Sequence, residues 1–496
     1  MSGAASSGKG RVETIIVSDM HLADAEPEHP KRPHWKAFKQ RRLFFDDEVE
    51  RLLSYVASHA QGTVELILNG DIFDFDVVTD VPAQPPGPVS WISRVRGMPS
   101  EEWMSLHKIE RIIADHPRWF AAVGAFLARG HRVVFTIGNH DVELNWPSVQ
   151  ARIRSALGGL EARGADVERV TFSGSFYLSG GDTFVTHGHL FDPYCTEKTP
   201  IDPLIRVKGR PRMRVPFGDM ANRYMLNGMG YFNPHATNNY VMSLRQYVSF
   251  FFRYMGRDQP LLLFTWFWSA LATLILTLRD FWTPAMRDPL LVDTKVQAIA
   301  DRAQATPTMV RAIEALAVPS ACTDPVKIIR ELWLDRGLLF LLMLYGAFQV
   351  VLTVNFVWTI SPWWLLLAIA LFFPFFLMYS FKVRSAVFAE PLIDEQRAIL
   401  IREITGMSQV VCGHTHEPEL RRIGPLTFVN GGFWSPAFAE PACLTRLGTQ
   451  TFVWLKPRDD GQPRVPLLLE WPPGGEAPKV FGPAAPSPAS NERVAA

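Results

Sequence analysis

The strongest constraint on this chain is the placing of five short polar motifs, each at the end of an apolar, β-like run. In chain order they are Asp19-Met20-His21, Gly70-Asp71-Ile72-Phe73-Asp74, Gly138-Asn139-His140-Asp141, His187-Gly188-His189 and Gly413-His414-Thr415-His416. In open α/β sheets ligands bind beyond the carboxyl ends of the strands, which is where all five fall. More than 200 residues separate the fourth motif from the fifth. That interval includes Gly337 to Phe381, 45 residues with no Asp, Glu, Lys, Arg or His. A fold for this chain must join two distant segments at one site and place an apolar insertion elsewhere.

The elements around the motifs read as α/β. Thr14 to Val17 is a short buried strand, Arg42 to Ala57 a helix, Val64 to Leu68 the next strand. Val81 to Ser90 is a Pro-rich loop, Glu102 to Arg129 is mainly helical, and Arg132 to Ile137 is a third strand. Strands alternating with helices imply parallel pairing. From Val170 the texture changes to short strands at 170–172, 176–178 and 183–186. After the insertion come a helix at Glu395 to Ile404 and strands at Gln409 to Cys412, Leu426 to Val429, Thr445 to Leu455 and Val465 to Glu470. The expected organisation is a flexible 1–10, a first domain part 11–192, a helical insertion 193–390, a second part 391–470 and a disordered Pro/Ala/Gly-rich tail 471–496.

The charge balance, 50 basic against 49 acidic residues and a net +1, argues against nucleic acid as a partner held by bulk charge. Cys195, Cys322, Cys412 and Cys443 form no CxxC pair and fit free thiols of a reducing compartment. Met1 to Arg11 has no apolar core of a signal peptide, so the first motif is expected on the cytoplasmic side.

The insertion has three notable parts. Asn238 to Met255 is an aromatic-rich amphipathic helix with Arg245 and Arg253, suited to packing or to a bilayer surface. Leu261 to Leu278 is 18 uncharged residues, borderline for a membrane span. Gly337 to Phe381 is long enough for two spans of roughly 20 residues, with a turn at Ser361-Pro362. His187 and the His414/His416 pair must share a site, so the number of crossings between them is even. The hairpin supplies two, leaving 261–278 re-entrant, surface-lying or packed on the protein. Lys327, Arg330 and Arg336 precede the hairpin and Lys382 and Arg384 follow it, so both ends are expected to be cytoplasmic.

Carboxylates, imidazoles and one amide suit a pair of divalent ions such as Mn, Fe or Zn. A two-metal site clamps phosphoryl oxygens and activates a water as hydroxide. The residue set resembles the calcineurin-like metallophosphoesterases over roughly residues 11 to 192 and 391 to 456, which implies a two-sheet sandwich flanked by helices. By that resemblance, Asp19, His21 and His416 hold the first metal, Asp71 bridges, and Asn139, His187 and His414 hold the second. His140 is the unligated catalytic histidine, and Asp74 and Asp141 orient His21 and His140. Asn430-Gly431-Gly432 is similar to the turn that closes many such sites. Asp19 to Leu22 also resembles the opening motif of UDP-2,3-diacylglucosamine hydrolases, which carry Arg where this chain has His140 and have a shorter insertion. His189 reads as structural, Asp192 as a local ion-pair or substrate group, and Lys31, Arg32, Lys39, Arg41 and Arg42 as a solvated face or a phosphate-steering rim.

The expected protein is a membrane-anchored dinuclear-metal phosphoesterase with its site on the cytoplasmic face. Its partners are the lipid bilayer and an amphiphilic phosphorylated substrate, such as a phospholipid, lipid pyrophosphate or lipid-linked nucleotide. A membrane-tethered nucleotide phosphodiesterase and a non-catalytic membrane scaffold are the alternatives.

Overall fold

A computed structural model describes residues 12–159, 164–236, 242–283, 290, 292–383, 385–387, 390–458 and 460–482. The segment 1–10 expected to be flexible, and the expected disordered tail beyond 482, lie outside the described residues. So do 238–241 and Arg384.

The strands are β1 (Glu13–Val17), β2 (Val64–Asn69), β3 (Arg132–Thr136), β4 (Val170–Gly174), β5 (Phe176–Ser179), β6 (Thr183–Thr186), β7 (Leu204–Val207), β8 (Arg210–Met213), β9 (Gln409–Cys412), β10 (Glu419–Ile423), β11 (Leu426–Asn430), β12 (Thr451–Lys456), β13 (Val465–Glu470) and β14 (Lys479–Val480). Seven form one sheet in the order β14-β13-β12-β1-β2-β3-β4, and five form a second in the order β10-β11-β9-β6-β5. β1 to β4 pair in parallel, as do β6, β9 and β11. Their carboxyl ends lie on one edge, and the five motifs leave from that edge.

The period-two alternation of each strand explains the layering. Ile16, Ile67 and Val134 point from the first sheet to Val185, Val411 and Val429 of the second, forming the inter-sheet core. Their neighbours Ile15, Val17, Leu66, Leu68, Val133 and Phe135 point outward. There they meet the helices Asp46–His59 and Pro117–Ala128, with Trp119 at the centre of the contact. The far side of the second sheet is covered by the helices Asp293–Ala303, Pro307–Leu316 and Glu395–Thr405. Each Leu, Ile or Phe so buried contributes about 1.5–3 kcal/mol relative to exposure. This is the mixed α/β architecture expected, a two-sheet sandwich flanked by helices.

Local differences have simple causes. The helix expected over Glu102 to Arg129 is two helices, Glu102–Asp115 and Pro117–Ala128. Pro117 has no N–H to continue the first helix and suits the first position of the second. The strand expected from Thr445 begins at Thr451. The helix expected over Asn238 to Met255 is Leu244–Phe250, started by a Ser243/Gln246 capping box and continued as a π-helical turn Phe251–Met255.

The insertion is more than a set of apolar helices. It opens with the β7–β8 hairpin and a polar helical run: helix Phe217–Ala221, π-helical turn Asn222–Leu226 and the short helix Asn227–Met229. Among the described residues, three later helices are long and apolar enough to cross a membrane: Leu262–Trp282, Leu334–Val357 and Trp364–Lys382. The last two form an antiparallel hairpin, joined at its open end by Tyr379 Oη to Asp335 Oδ2 at 2.7 Å and by a Phe340–Phe376 ring contact. Its turn holds Ser361-Pro362, and its flanks are bare apolar surface, with Phe356 93% and Trp363 77% exposed. Pro374 sits inside the second helix of the pair.

Candidate metal centre

The ligand-type residues are held in a strained backbone. Asp19, His21, Asp71, His414 and His416 have φ of 55°, 48°, 51°, 69° and 59°. Left-handed conformations cost non-glycine residues of order 1–3 kcal/mol each and persist where the surroundings enforce them. Here the enforcement is visible. His21 N–H donates to Asp71 O at 2.9 Å, and the N–H groups of Trp434 and Ser435 both donate to Asp19 O at 3.0 Å. The motif glycines permit the close approach. At Gly70, φ is 74° and a Cβ would lie 2.6 Å from the His187 ring; at Gly413 a Cβ would lie 2.6 Å from Ser18 Oγ.

Two clusters flank one carboxylate, that of Asp71. In the first, His416 Nε2 is 3.2 Å from Asp19 Oδ1 and 3.3 Å from His21 Nε2. In the second, ligand atoms of Asp71, His187 and His414 lie within 4.8 Å of one another. Asp71 Oδ2 is 3.1 Å from His187 Nε2 and 3.9 Å from His21 Nε2, so it stands between the clusters. Three of the four imidazoles spend their other nitrogen elsewhere, which fixes which nitrogen faces the site. His187 Nδ1 meets Asn69 O at 3.0 Å, His416 Nδ1 meets His235 O at 3.1 Å, and His414 Nε2 meets Asp192 Oδ2 at 3.0 Å. The Asn430 amide donates to Gly413 O at 2.8 Å and to Thr415 Oγ1 at 2.9 Å, pinning the loop between the two histidines.

The donor set fits a pair of divalent ions. Asn139 Oδ1 is buried with no hydrogen-bond partner, an acceptor that a cation would satisfy. Burial opposes a charge on His187, yet Asp71 and Asp19 beside it raise its pKa to about 9. The excess of buried negative charge is held by protons where a metal would replace them.

Asp74 is a hub. Its carboxylate is 3.6 Å from His21 Nδ1, 3.5 Å from His140 Nδ1 and 3.0 Å from His235 Nε2. It therefore faces both histidines that Asp74 and Asp141 were expected to orient. Asp141 is placed differently from expectation. It accepts the Gly138 N–H at 2.6 Å and the Ile72 N–H at 2.9 Å, tying the second motif to the third instead of steering the His140 ring. Burial and the Asp71 charge raise its pKa to about 7.

The insertion completes the site with residues that sequence reasoning did not pick out. The Asn139 amide donates through Nδ2 to Asp219 Oδ1 at 3.2 Å, and its Oδ1 is left buried without a partner. Asn222 Nδ2 lies 3.4 Å from His140 Nδ1. Arg223 is buried and pairs with Asp76, whose own Oδ2 is 3.6 Å from His140 Nδ1. His235 stacks on His21 with ring centroids 4.3 Å apart. The available signal was Asp219, Asn222 and Arg223 at helical spacing within an otherwise apolar run.

The remaining candidates lie outside these two clusters, although Asp192 forms a further candidate group with Cys195 and His414. His189 is buried, 3.8 Å from Glu197 Oε2, and Asp192 makes the local ion pair with His414. Lys39 is buried on Asp24 Oδ1 at 2.6 Å and Arg41 pairs with Asp115, so both are committed to internal carboxylates. Trp434 is core, its Nε1 donating to Thr451 O at 2.7 Å.

Residues 13–216 match the family described as calcineurin-like phosphoesterase. No curated protein matches the chain, and the likeness to UDP-2,3-diacylglucosamine hydrolases rests on Asp19 to Leu22 alone. The matched segment contains four motifs. The fifth joins them through the β6–β9 pairing, in which Val185 lies beside Val411.

Proposed function

We propose that this chain is a membrane-anchored, metal-dependent phosphoesterase that hydrolyses a phosphate ester or pyrophosphate bond in a lipid or lipid-linked substrate. The observation that carries the reading is the Asp71 carboxylate standing between two ligand clusters, 3.1 Å from His187 and 3.9 Å from His21, on backbone strained to hold them. Asp19, His21 and His416 hold one ion and Asn139, His187 and His414 the other, with Asp71 common to both. Two divalent ions (Mn, Fe or Zn) bound there supply phosphoryl-charge neutralisation and an activated water. His140 is assigned to the substrate and not to an ion, although a ring nitrogen of His140 lies within 4.8 Å of the His21 and Asp71 ligand atoms. Its Nδ1 faces Asp74 and Asp76 at 3.5 and 3.6 Å, while its side chain stays 17% exposed. That leaves Nε2 to meet substrate and hand a proton to the leaving oxygen, with Asp74 holding the ring's angle.

The anchor is the Leu334–Val357 and Trp364–Lys382 hairpin. Lys327, Arg330 and Lys382 are exposed at its open end, which by the positive-inside rule is cytoplasmic. An anchor set within the catalytic unit favours a substrate drawn from the bilayer. The test offers the full-length protein in vesicles a phospholipid, a lipid pyrophosphate and a soluble nucleotide diester, with His140→Ala as control. The reading expects turnover of a lipid and a roughly 10²–10⁴-fold lower kcat in the variant, the range for a positioned proton donor. Turnover of the soluble diester alone would replace the lipid reading with a tethered nucleotide phosphodiesterase.

A further inference from the structure

We propose that the helix Leu262–Trp282, with the turn Leu244–Met255 before it, lies in the plane of an anionic membrane surface and does not cross the bilayer. The inference rests on the hairpin anchor proposed above.

The inner face of this helix is polar and already taken. Ser269, Ala270, Thr273, Thr277 and Asp280 form one buried stripe. The catalytic unit grips that face along most of its length. Arg96 Nη2 reaches Ser269 Oγ at 3.2 Å, and Arg212 Nη2 reaches Asp280 Oδ1 at 3.0 Å. Near the end, Lys198 Nζ reaches Phe281 O at 3.4 Å and Arg214 Nη2 reaches Thr283 O at 3.1 Å. A crossing helix would carry these cations into hydrocarbon, where each is costly. It would also be a third crossing, which puts His187 and His414 on opposite faces.

The outer face is apolar and bare. Phe264, Trp268, Ile275 and Trp282 are 62%, 52%, 55% and 67% exposed. The preceding turn adds Val248 and Phe252, the latter 78% exposed, with Arg245, Arg253 and Arg257 exposed among them. Aromatics mixed with arginines on one helical surface match an interface rich in anionic headgroups. The position agrees. Tyr247 meets Trp333 with ring centroids 5.0 Å apart, and a Cβ on Gly337 would lie 3.3 Å from Trp266, so this surface adjoins the open end of the hairpin. The helix also packs on the turn Asn222–Leu226, whose Asn222 faces His140. Headgroups at this surface are therefore brought beside the metal centre.

The test uses full-length protein in phosphatidylcholine vesicles with and without phosphatidylglycerol. Environment-sensitive fluorophores are placed singly at Phe264→Cys, Trp268→Cys, Ile275→Cys and Trp282→Cys, with Phe348→Cys in the hairpin as reference. Lipids quench at a shallow or a deep acyl position. The proposal expects all four probes to be quenched by the shallow lipid, more strongly with phosphatidylglycerol, and their unlabelled thiols to react from one side only. The Phe348 probe should be quenched by the deep lipid. A deep maximum at Trp268 or Ile275, with the helix ends reacting from opposite sides, would overturn it in favour of a span. Absent quenching at the four positions, with cross-links between copies, would overturn it in favour of a protein interface. Absent quenching at Phe348 as well would remove the anchor itself.

Discussion

Asp219→Leu tests whether the insertion is part of the metal centre. Asp219 and Asn139 are each 1% exposed, and the 3.2 Å bond from Asn139 Nδ2 to Asp219 Oδ1 sets which end of the amide would be left for a bound ion. Burial raises the Asp219 pKa well above the ordinary carboxylate value, so this is a bond to a neutral acceptor, which contributes about 0.5–1.5 kcal/mol. Loss of a group that orients a ligand costs about 10–100-fold in metal affinity, roughly 1.4–2.8 kcal/mol. The two ranges meet at their edges, and because leucine is larger than aspartate, Asp219→Asn, of nearly the same volume, controls for overpacking. The loss should fall on one ion, because Asp19, His21 and His416 are oriented through other groups. Chelator-competition titration of the metal-free protein, with metal counted by mass spectrometry, should show one site weakened 10–100-fold and one unchanged. Saturating metal should restore most of kcat. Asp219→Asn keeps an acceptor oxygen and should lose much less. Unchanged affinity at both sites, or loss of both ions, would refute the orientation argument.

Other expectations follow from the same geometry. At pH 7 His187 in the metal-free protein holds a proton, with its pKa raised to about 9, and an ion must displace it; metal affinity should therefore rise about tenfold per pH unit from 7 to 9 and level off above, read by calorimetry across pH. Arg464 is buried, donates to Asp182, Ser179 O and Thr14 Oγ1, and ties β13 to the second sheet; Arg464→Met should cost about 3–5 kcal/mol at pH 7 in chemical denaturation. Burial raises the Asp182 pKa, but Arg464 more than offsets this and holds it below the ordinary carboxylate value. The pair's stabilisation is therefore full above about pH 4, the ordinary Asp value, and lost as pH falls through the lower folded one, so the variant's deficit should shrink on acidification. Full-length protein should resist alkaline carbonate, and Ser361→Cys should react with an impermeant thiol reagent in intact cells while Arg330→Cys does not.

The motifs were legible because a ligand at a strand's carboxyl end needs an apolar run before it and a turn after it, and both show in one sequence. The sheets followed, since Ile15-Ile16-Val17 and Leu66-Ile67-Leu68 supply both faces of a buried strand. β10 escaped because Glu419 to Arg422 are exposed at the sheet edge and carry no alternation. Asp219, Asn222 and His235 escaped for another reason. They reach the site from the start of the insertion, through contacts 80 to 180 residues apart that no local period records. The misplacement of Asp141 came from sequence adjacency. Its neighbour His140 turns its ring toward Asp74 and Asp76, while its own carboxylate turns under the loop to the Gly138 and Ile72 amides.

The central claim is that two ions on a shared Asp71 carboxylate make this chain a phosphoesterase. Titrating manganese into the metal-free, full-length protein while following hydrolysis of bis(4-nitrophenyl) phosphate tests it most directly. Activity should climb to a plateau at two bound ions per chain, and Asp71→Asn should lose both the second equivalent and the turnover. Two ions retained with undiminished turnover in that variant, or no turnover at any metal loading of the native chain, would contradict it.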